Sequence, residues 1–125
     1  MGASHVMPSD IMVTIYHNPR CTKSRQTLQL LAARGIEPTI VEYLEEPPSA
    51  GELKSILKKL GLRPRDLLRQ GEARYAELKL KERALSEDAL IELMVENPIL
   101  IERPIVVSGN KAAIGRPPEK VLEIL

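Results

Sequence analysis

The chain is poor in aromatic residues and has almost no cysteine. Its 125 residues include no tryptophan, no phenylalanine and three tyrosines, so a hydrophobic core must be built from aliphatic side chains. Cys21 is the only cysteine, which excludes an internal disulfide. One cysteine and two histidines are also too few for a structural zinc site, so no metal is expected. A reducing, cytoplasmic setting is expected instead.

Strong net charge and long apolar runs are also absent. The formal net charge is +1, with 18 basic and 17 acidic residues, so no overall field indicates nucleic acid or an acidic membrane as a partner. No apolar run approaches the roughly 18 residues of a membrane span. Residues 1–11 have no apolar centre or cleavage pattern and are expected to be an artificial leader or a disordered N-terminus, so His5 is left out of the functional argument. Residues 12–125 are expected to form one domain.

The start of this domain has the pattern of a βαβ unit. Residues 12–16, MVTIY, are rich in β-branched side chains and predict a strand. Helical spacing of apolar residues follows from Thr22 to a stop at Gly35, and residues 39–43, TIVEY, predict a second strand. A strand, a helix and a strand within about thirty residues predict a parallel pair with a right-handed crossover.

The middle of the chain is predicted to be helical. Ser49 with Glu52 is a capping-box signature for a helix that stops at Gly61. Short helical segments are predicted at 64–69 and 74–78, and Ser86 is predicted to cap a further helix that ends before Pro98.

The end of the chain is predicted to return to strands. Residues 104–107 and 112–114 form a predicted hairpin around Gly109-Asn110, and a last helix follows Pro117-Pro118. The predicted class is α/β, in the order βαβ, helices, ββα.

The most informative stretch is HNPRCTKSR, residues 17–25. It places Cys21 where the first strand has ended and the first helix begins. Free N–H groups and the positive end of the helix dipole favour an anion there, and Arg20, Lys23 and Arg25 add positive charge. Such surroundings lower a thiol pKa from about 8.5 and produce the nucleophilic thiolate. Two readings remain open: Cys21 is a reactive thiolate, which its position favours, or it is a small buried filler.

Several cysteine-dependent or phosphate-binding motifs can be excluded. A phosphatase-type loop would need arginine six residues after the cysteine, where Thr27 stands. A C-x-x-C redox pair would need a cysteine at Ser24, so redox chemistry must take its second thiol from another molecule. No G-x-x-x-x-G-K-[ST] loop is present.

Four other side chains are candidates for a site around Cys21. His17 could tune the thiol or could be an ordinary polar residue at a strand end. Arg69, Arg103 and Arg116 lie at loop junctions, and arginine suits forked binding of tetrahedral oxyanions. Taken one at a time, each arginine is also compatible with a solvated surface charge.

Four segments together resemble the glutaredoxin-coupled arsenate reductases of the ArsC type. They are HNPRCTKSR, LLR, NPILIERPIVV and IGRPPEKVLEIL. The resemblance runs from about Val13 to the end and is greatest to the short members. It implies a thioredoxin-like fold with a helical insertion between the βαβ and ββα halves.

The resemblance also implies roles for individual residues. It makes Cys21 the catalytic nucleophile and identifies three arginines as the oxyanion ligands. It places His17 and Ser24 beside the thiolate as tuning residues, and it makes Pro104 the cis-proline candidate. The three oxyanion ligands are Arg69, Arg103 and Arg116.

The function implied by the resemblance is reduction of arsenate to arsenite. Glutathione would be a co-substrate and glutaredoxin the protein partner, with no bound cofactor and with the chain acting as a monomer. Two alternatives remain: a glutathione-dependent reductase of another substrate, and a regulator that binds RNA polymerase, as the related Spx proteins do. Redox-sensing Spx proteins use a C-x-x-C switch, so Ser24 counts against that version.

Overall fold

The structure, a computed structural model, describes residues 12–125, so the predicted leader lies outside the described residues. The chain divides into two compact units. Among the described residues, the first unit contains 12–42 together with Arg103–Leu125, and the second is Tyr43–Glu102. The expectation of one domain over 12–125 stays a prediction.

The first unit is built on a four-stranded mixed sheet. Its strands and helices are β1 (Val13–His17), α1 (Thr22–Ala33), β2 (Thr39–Glu42), β3 (Ile105–Ser108), β4 (Lys111–Ile114) and a C-terminal 3₁₀ helix (Pro118–Ile124). The spatial strand order is β2-β1-β3-β4. β1 pairs in parallel with β2, placing Ile15 beside Ile40, and antiparallel with β3, placing Ile15 beside Val106; β3 and β4 form an antiparallel hairpin.

The core of this unit is aliphatic. Ile15, Leu31, Val106 and Val121 are completely buried and pack together. They come from β1, α1, β3 and the C-terminal 3₁₀ helix, so one cluster joins the sheet to both helices. Burial of each such side chain contributes about 1.5–3 kcal/mol, which lets the unit hold its strands together without a tryptophan or phenylalanine. The sheet is thereby a firm support for the loop that follows β1.

The second unit consists of helices. They are α2 (Ala50–Leu60), α3 (Pro64–Leu67), α4 (Ala73–Glu77), α5 (Glu87–Glu96) and a 3₁₀ helix (Pro98–Leu100). The capping box predicted for α2 is present: the Ser49 hydroxyl accepts from the Glu52 N–H at 3.1 Å, and the Glu52 carboxylate accepts from the Ser49 N–H at 2.8 Å. Ser86 caps α5 through the N–H of Ala89 at 3.1 Å.

Two details differ from the sequence prediction. The last helix has 3₁₀ rather than α geometry over Pro118–Ile124, and the 3₁₀ turn at Pro98–Leu100 was not predicted. Both 3₁₀ segments begin at a proline, and 3₁₀ turns are frequent at helix ends and as connectors. The strand and helix order is otherwise the predicted one, with ends that differ by one or two residues in most elements.

Candidate active site

Cys21 is the N-cap residue of α1. Its backbone is extended (φ −94°, ψ 123°), and its N–H donates to the C=O of Asn18 at 2.9 Å, which closes the turn after β1. The first turn of α1 reads TKSR and contributes no carboxylate that could take the free helical N–H groups. The N–H groups of Lys23 and Ser24 instead act on the sulfur of Cys21 and lower the pKa of its thiol. The sulfur therefore occupies an anion site at the start of a helix.

Two of the three predicted arginines lie at this sulfur. The Arg116 Nη2 group is 3.6 Å from the Cys21 sulfur, and the Arg103 side chain also hydrogen-bonds to it. The Nε group of Arg116 donates to the C=O of Arg103 at 2.8 Å, so the two residues hold each other. Guanidinium groups present several N–H donors in a fixed plane, and this geometry suits a thiolate and a bound oxyanion alike.

The environment of Cys21 lowers the pKa of its thiol. Partial burial is the largest single influence and raises that pKa, because it disfavours the charged form. The N–H of Ser24, the hydrogen bond and charge of Arg103, and the N–H of Lys23 act in the opposite direction, and together they outweigh burial. Cys21 is therefore stabilised as a thiolate, the nucleophilic form.

His17 and Ser24 form a buried pair beside the cysteine loop. The Nδ1 atom of His17 lies 2.6 Å from the Ser24 hydroxyl, which also accepts from the N–H of Asn18 at 3.0 Å. Ser24 is fully buried and His17 is 5% exposed. This network fixes the turn between β1 and α1. The predicted action of the Ser24 hydroxyl on the thiolate stays a prediction, because the effect of Ser24 on the pKa of Cys21 comes from its backbone N–H.

The pKa of His17 is lowered. Burial is the main cause, since it disfavours the imidazolium; the carboxylate of Glu42 raises this pKa, and the charge of Arg25 lowers it further. The neutral imidazole is therefore favoured around neutral pH, and its tautomer decides whether Nδ1 donates to the Ser24 hydroxyl or accepts from it. The tuning role of His17 toward Cys21 stays a prediction.

Both prolines next to the site arginines follow cis peptide bonds. The bond expected to be cis, Arg103-Pro104, is cis, and so is Arg116-Pro117, which was not predicted. The C=O of Pro104 accepts from the N–H of Gly115 at 2.9 Å. This bond joins the two arginine-bearing segments immediately before β3 and after β4.

Arg69, the third predicted arginine, lies in the helical unit. Its Nη1 and Nε atoms are 3.7 Å from Glu72 and 3.5 Å from Glu102, and its N–H donates to the C=O of Leu100 at 2.8 Å. Two carboxylates thus hold this guanidinium in place. Its predicted role as an oxyanion ligand stays a prediction.

The sequence analysis missed three residues that shape the site. Asn18 accepts the N–H of Arg20 at 3.0 Å with its side chain and is 8% exposed; an asparagine before a proline is a signal for such a turn. Thr27 and Gly115 are both buried, and they pack closely together. A glycine at the end of a strand can indicate close approach of another backbone, and this is the signal that the sequence offers for Gly115.

Within residues 12–125, no three histidine, cysteine, aspartate or glutamate side chains are grouped as a metal would require. No helix in the same range has the length and apolar character needed to cross a membrane.

The chain has close relatives of known family. The model of the ArsC family matches residues 16–124. The chain is 59% identical over 114 residues to the uncharacterized protein YfgD of Escherichia coli strain K12, covering 90% of this chain and 96% of that one. It is 52% identical over 114 residues to the arsenate reductase of Haemophilus influenzae, covering 90% and 98%. The structure of arsenate reductase from Vibrio cholerae matches with a TM-score of 0.89 at 53% identity, covering 92% and 98%.

The sheet order, the activated cysteine at the start of α1 and the cis-proline before β3 define a thioredoxin-like protein with one reactive thiol. The predicted fold, with a helical segment that follows β2 and precedes β3 along the chain, is confirmed by the solved relatives. The chain belongs to the ArsC family.

Proposed function

We propose that the protein reduces arsenate to arsenite, with Cys21 as the nucleophile. The observation that carries the proposal is the arrangement at the Cys21 sulfur, where a helix N-terminus and the guanidinium groups of Arg103 and Arg116 converge. Such a site stabilises a thiolate and offers hydrogen-bond donors to an oxyanion that approaches it. Relatives named arsenate reductase, 46–52% identical to the chain, support arsenate as the substrate.

The chemistry begins with attack of the Cys21 thiolate on arsenic(V). A sulfur–arsenic bond forms, and one arsenate oxygen leaves as water after protonation. Arg103 and Arg116 stabilise the charge that develops on the remaining oxygens, and Arg69 is proposed as a third ligand of the oxyanion. His17 and Ser24 are proposed to hold the thiolate loop in its reactive form.

Completion of the reaction requires a second thiol. Reduction of arsenic(V) to arsenic(III) takes two electrons, which thiols supply by forming one sulfur–sulfur bond. Cys21 is the only cysteine in the chain, so glutathione is proposed to join the adduct and to end as a mixed disulfide with Cys21 when arsenite leaves. Glutaredoxin then takes the glutathione moiety by thiol exchange and returns Cys21 to its reduced form.

A reducing compartment fits this cycle. We place the protein in the cytoplasm, where thiols are kept reduced, and we propose that it acts as a monomer. No resident cofactor is required, because each electron comes from a thiol.

The proposed cycle is tested by measuring arsenite production while glutathione or glutaredoxin is left out of the assay. Purified protein with arsenate alone is expected to give no sustained arsenite, and glutathione with glutaredoxin should produce turnover. Mass spectrometry after arsenate and glutathione without glutaredoxin should find one glutathione on Cys21, and Cys21→Ser is the matched control. Sustained arsenite production without any added thiol would contradict the mechanism. If the complete system produced none, arsenate would be the wrong substrate, and another oxyanion would have to be sought for the same thiolate.

A further inference from the structure

Gly115 occupies a place in the sheet unit where no side chain fits. A β-carbon added to it would lie 2.5 Å from the Thr27 hydroxyl oxygen, 2.9 Å from Cγ of Pro104 and 3.2 Å from the Thr27 methyl carbon. These separations are shorter than ordinary van der Waals contact, which begins at 3.4 Å. Because its φ lies outside the left-handed region, the need for glycine comes from space and not from backbone conformation.

The two neighbours of Gly115 have little freedom to move away. Thr27 is completely buried, its hydroxyl donates to the C=O of Lys23 at 2.8 Å, and β-branching restricts its χ1 angle. Pro104 is buried, and its C=O accepts from the N–H of Gly115 at 2.9 Å. To bring the shortest contact from 2.5 Å to 3.4 Å, the added methyl group and the Thr27 hydroxyl oxygen would have to move apart by about 0.9 Å.

The same contact point joins the segments that carry the site. Thr27 is on α1, whose first residue follows Cys21; Pro104 follows Arg103; and Gly115 precedes Arg116. The Arg116 side chain spans this junction, since it reaches the C=O of Arg103 at 2.8 Å and the Cys21 sulfur at 3.6 Å. A separation of α1 from the two arginine-bearing segments would therefore change the distances between these arginines and the Cys21 sulfur.

We propose that Gly115 is a positioning residue, which sets the distance between the Cys21 sulfur and the guanidinium groups of Arg103 and Arg116 by letting Thr27 and Pro104 pack against its α-carbon. Gly115 touches no reacting atom in this role and acts through the segments that it allows to meet. The inference uses Cys21 as the reactive thiol of the proposed function, but it does not depend on arsenate as the substrate.

The test compares Gly115→Ala with Gly51→Ala in the full chain. A β-carbon at Gly51 would meet nothing closer than 4.0 Å, so this variant makes the same chemical change without crowding. Alkylation of Cys21 by iodoacetamide is measured against pH. Gly115→Ala is expected to raise the apparent pKa of Cys21 and to reduce the alkylation rate at about pH 6 by roughly threefold or more, because the arginines stabilise the thiolate less when they are displaced. Gly51→Ala should keep the wild-type profile.

The neighbour Thr27 provides a rescue. In the double variant Gly115→Ala/Thr27→Ala the contacts at 2.5 and 3.2 Å are removed and the contact with Pro104 remains. Its apparent pKa should lie between those of Thr27→Ala and Gly115→Ala, a coupling that residues in contact show and distant independent residues do not. A folded Gly115→Ala with the wild-type profile would overturn the proposal, and so would a double variant that behaves like Gly115→Ala alone.

If Gly115→Ala does not fold, the apparent pKa of Cys21 in the double variant tests the proposal instead. A folded double variant whose apparent pKa exceeds that of Thr27→Ala supports the positioning role. If the double variant matches Thr27→Ala, Gly115 serves folding alone; if the double variant also fails to fold, glycine is required for folding and not for the position of the arginines. Both results overturn the proposal. Because alkylation uses no arsenate, an inactive wild type with the expected alkylation shifts would reject the substrate and keep the positioning role.

Discussion

At the scale of single residues, a small number of groups around the Cys21 sulfur control the protonation of its thiol. Burial alone would raise the pKa of Cys21, and it is opposed by two backbone N–H groups and by Arg103. Each of these groups favours the thiolate over the thiol, so removing one should shift the balance toward the thiol. The hydrogen bonds that join His17, Asn18 and Ser24 hold together the end of β1 and the first turn of α1, on either side of Cys21.

Arg103→Ala is predicted to raise the pKa of Cys21. The variant loses both the hydrogen bond and the charge that stabilise the thiolate. The apparent pKa should move toward the roughly 8.5 of a free thiol, as measured by the pH dependence of alkylation. Arg34→Ala is the control, since Arg34 is an exposed residue at the other end of α1. An unchanged profile in Arg103→Ala would show that Arg103 does not activate the thiol.

At the scale of single elements, local signals explain most of the helix boundaries. The N-cap of α2 is Ser49, whose hydroxyl accepts a backbone N–H. Its C-cap is Gly61, which adopts the left-handed conformation (φ 70°). α1 differs, because its N-cap is Cys21, which makes no side-chain cap bond. The helix that carries the chemistry therefore lacks the usual serine cap, and the N–H groups of Lys23 and Ser24 in its first turn favour the thiolate form of Cys21.

Ser49→Ala is predicted to lower the free energy of unfolding by about 1 kcal/mol. The substitution removes the acceptor of the Glu52 N–H at 3.1 Å and leaves that group to water. Urea unfolding followed by circular dichroism measures the change. Ser55→Ala is the control: Ser55 is exposed within the same helix, where alanine has the higher helix propensity, so this variant should be as stable as the wild type or slightly more so. Equal stability of Ser49→Ala and Ser55→Ala would contradict the importance of the cap.

At the scale of the whole molecule, the lowered pKa of Cys21 makes the free energy of unfolding depend on pH. The folded protein holds Cys21 with a pKa below that of an unfolded thiol. Between these two pKa values the unfolded chain binds a proton that the folded chain has lost. The free energy of unfolding therefore rises with pH across this window, and the contribution is lost as pH falls through the folded-state pKa.

The predicted result is a pH-dependent difference between the wild type and Cys21→Ser. The wild type should gain stability relative to the variant as pH rises from below the folded-state pKa to about 8.5, and the difference should then become constant. Urea unfolding in the presence of a phosphine reductant measures it. The depressed pKa of His17 lowers stability below about pH 6.5 in both proteins, so its effect cancels in the comparison. A difference that does not vary with pH would mean that the thiol is not activated.

The sequence by itself determined the order of strands and helices, because β-branched runs, capping serines and turn-forming glycines act over a few residues. It also determined that Cys21 begins a helix among cations, since this follows from neighbours in the chain. Tertiary structure alone decided which distant groups reach the sulfur: Arg116 is 95 residues away in sequence and 3.6 Å away in space. It also decided that Gly115 must lack a side chain, because that requirement comes from Thr27 and Pro104, which meet it only when α1, β3 and β4 have packed together. Local patterns cannot encode such contacts, since the atoms involved become neighbours only through folding.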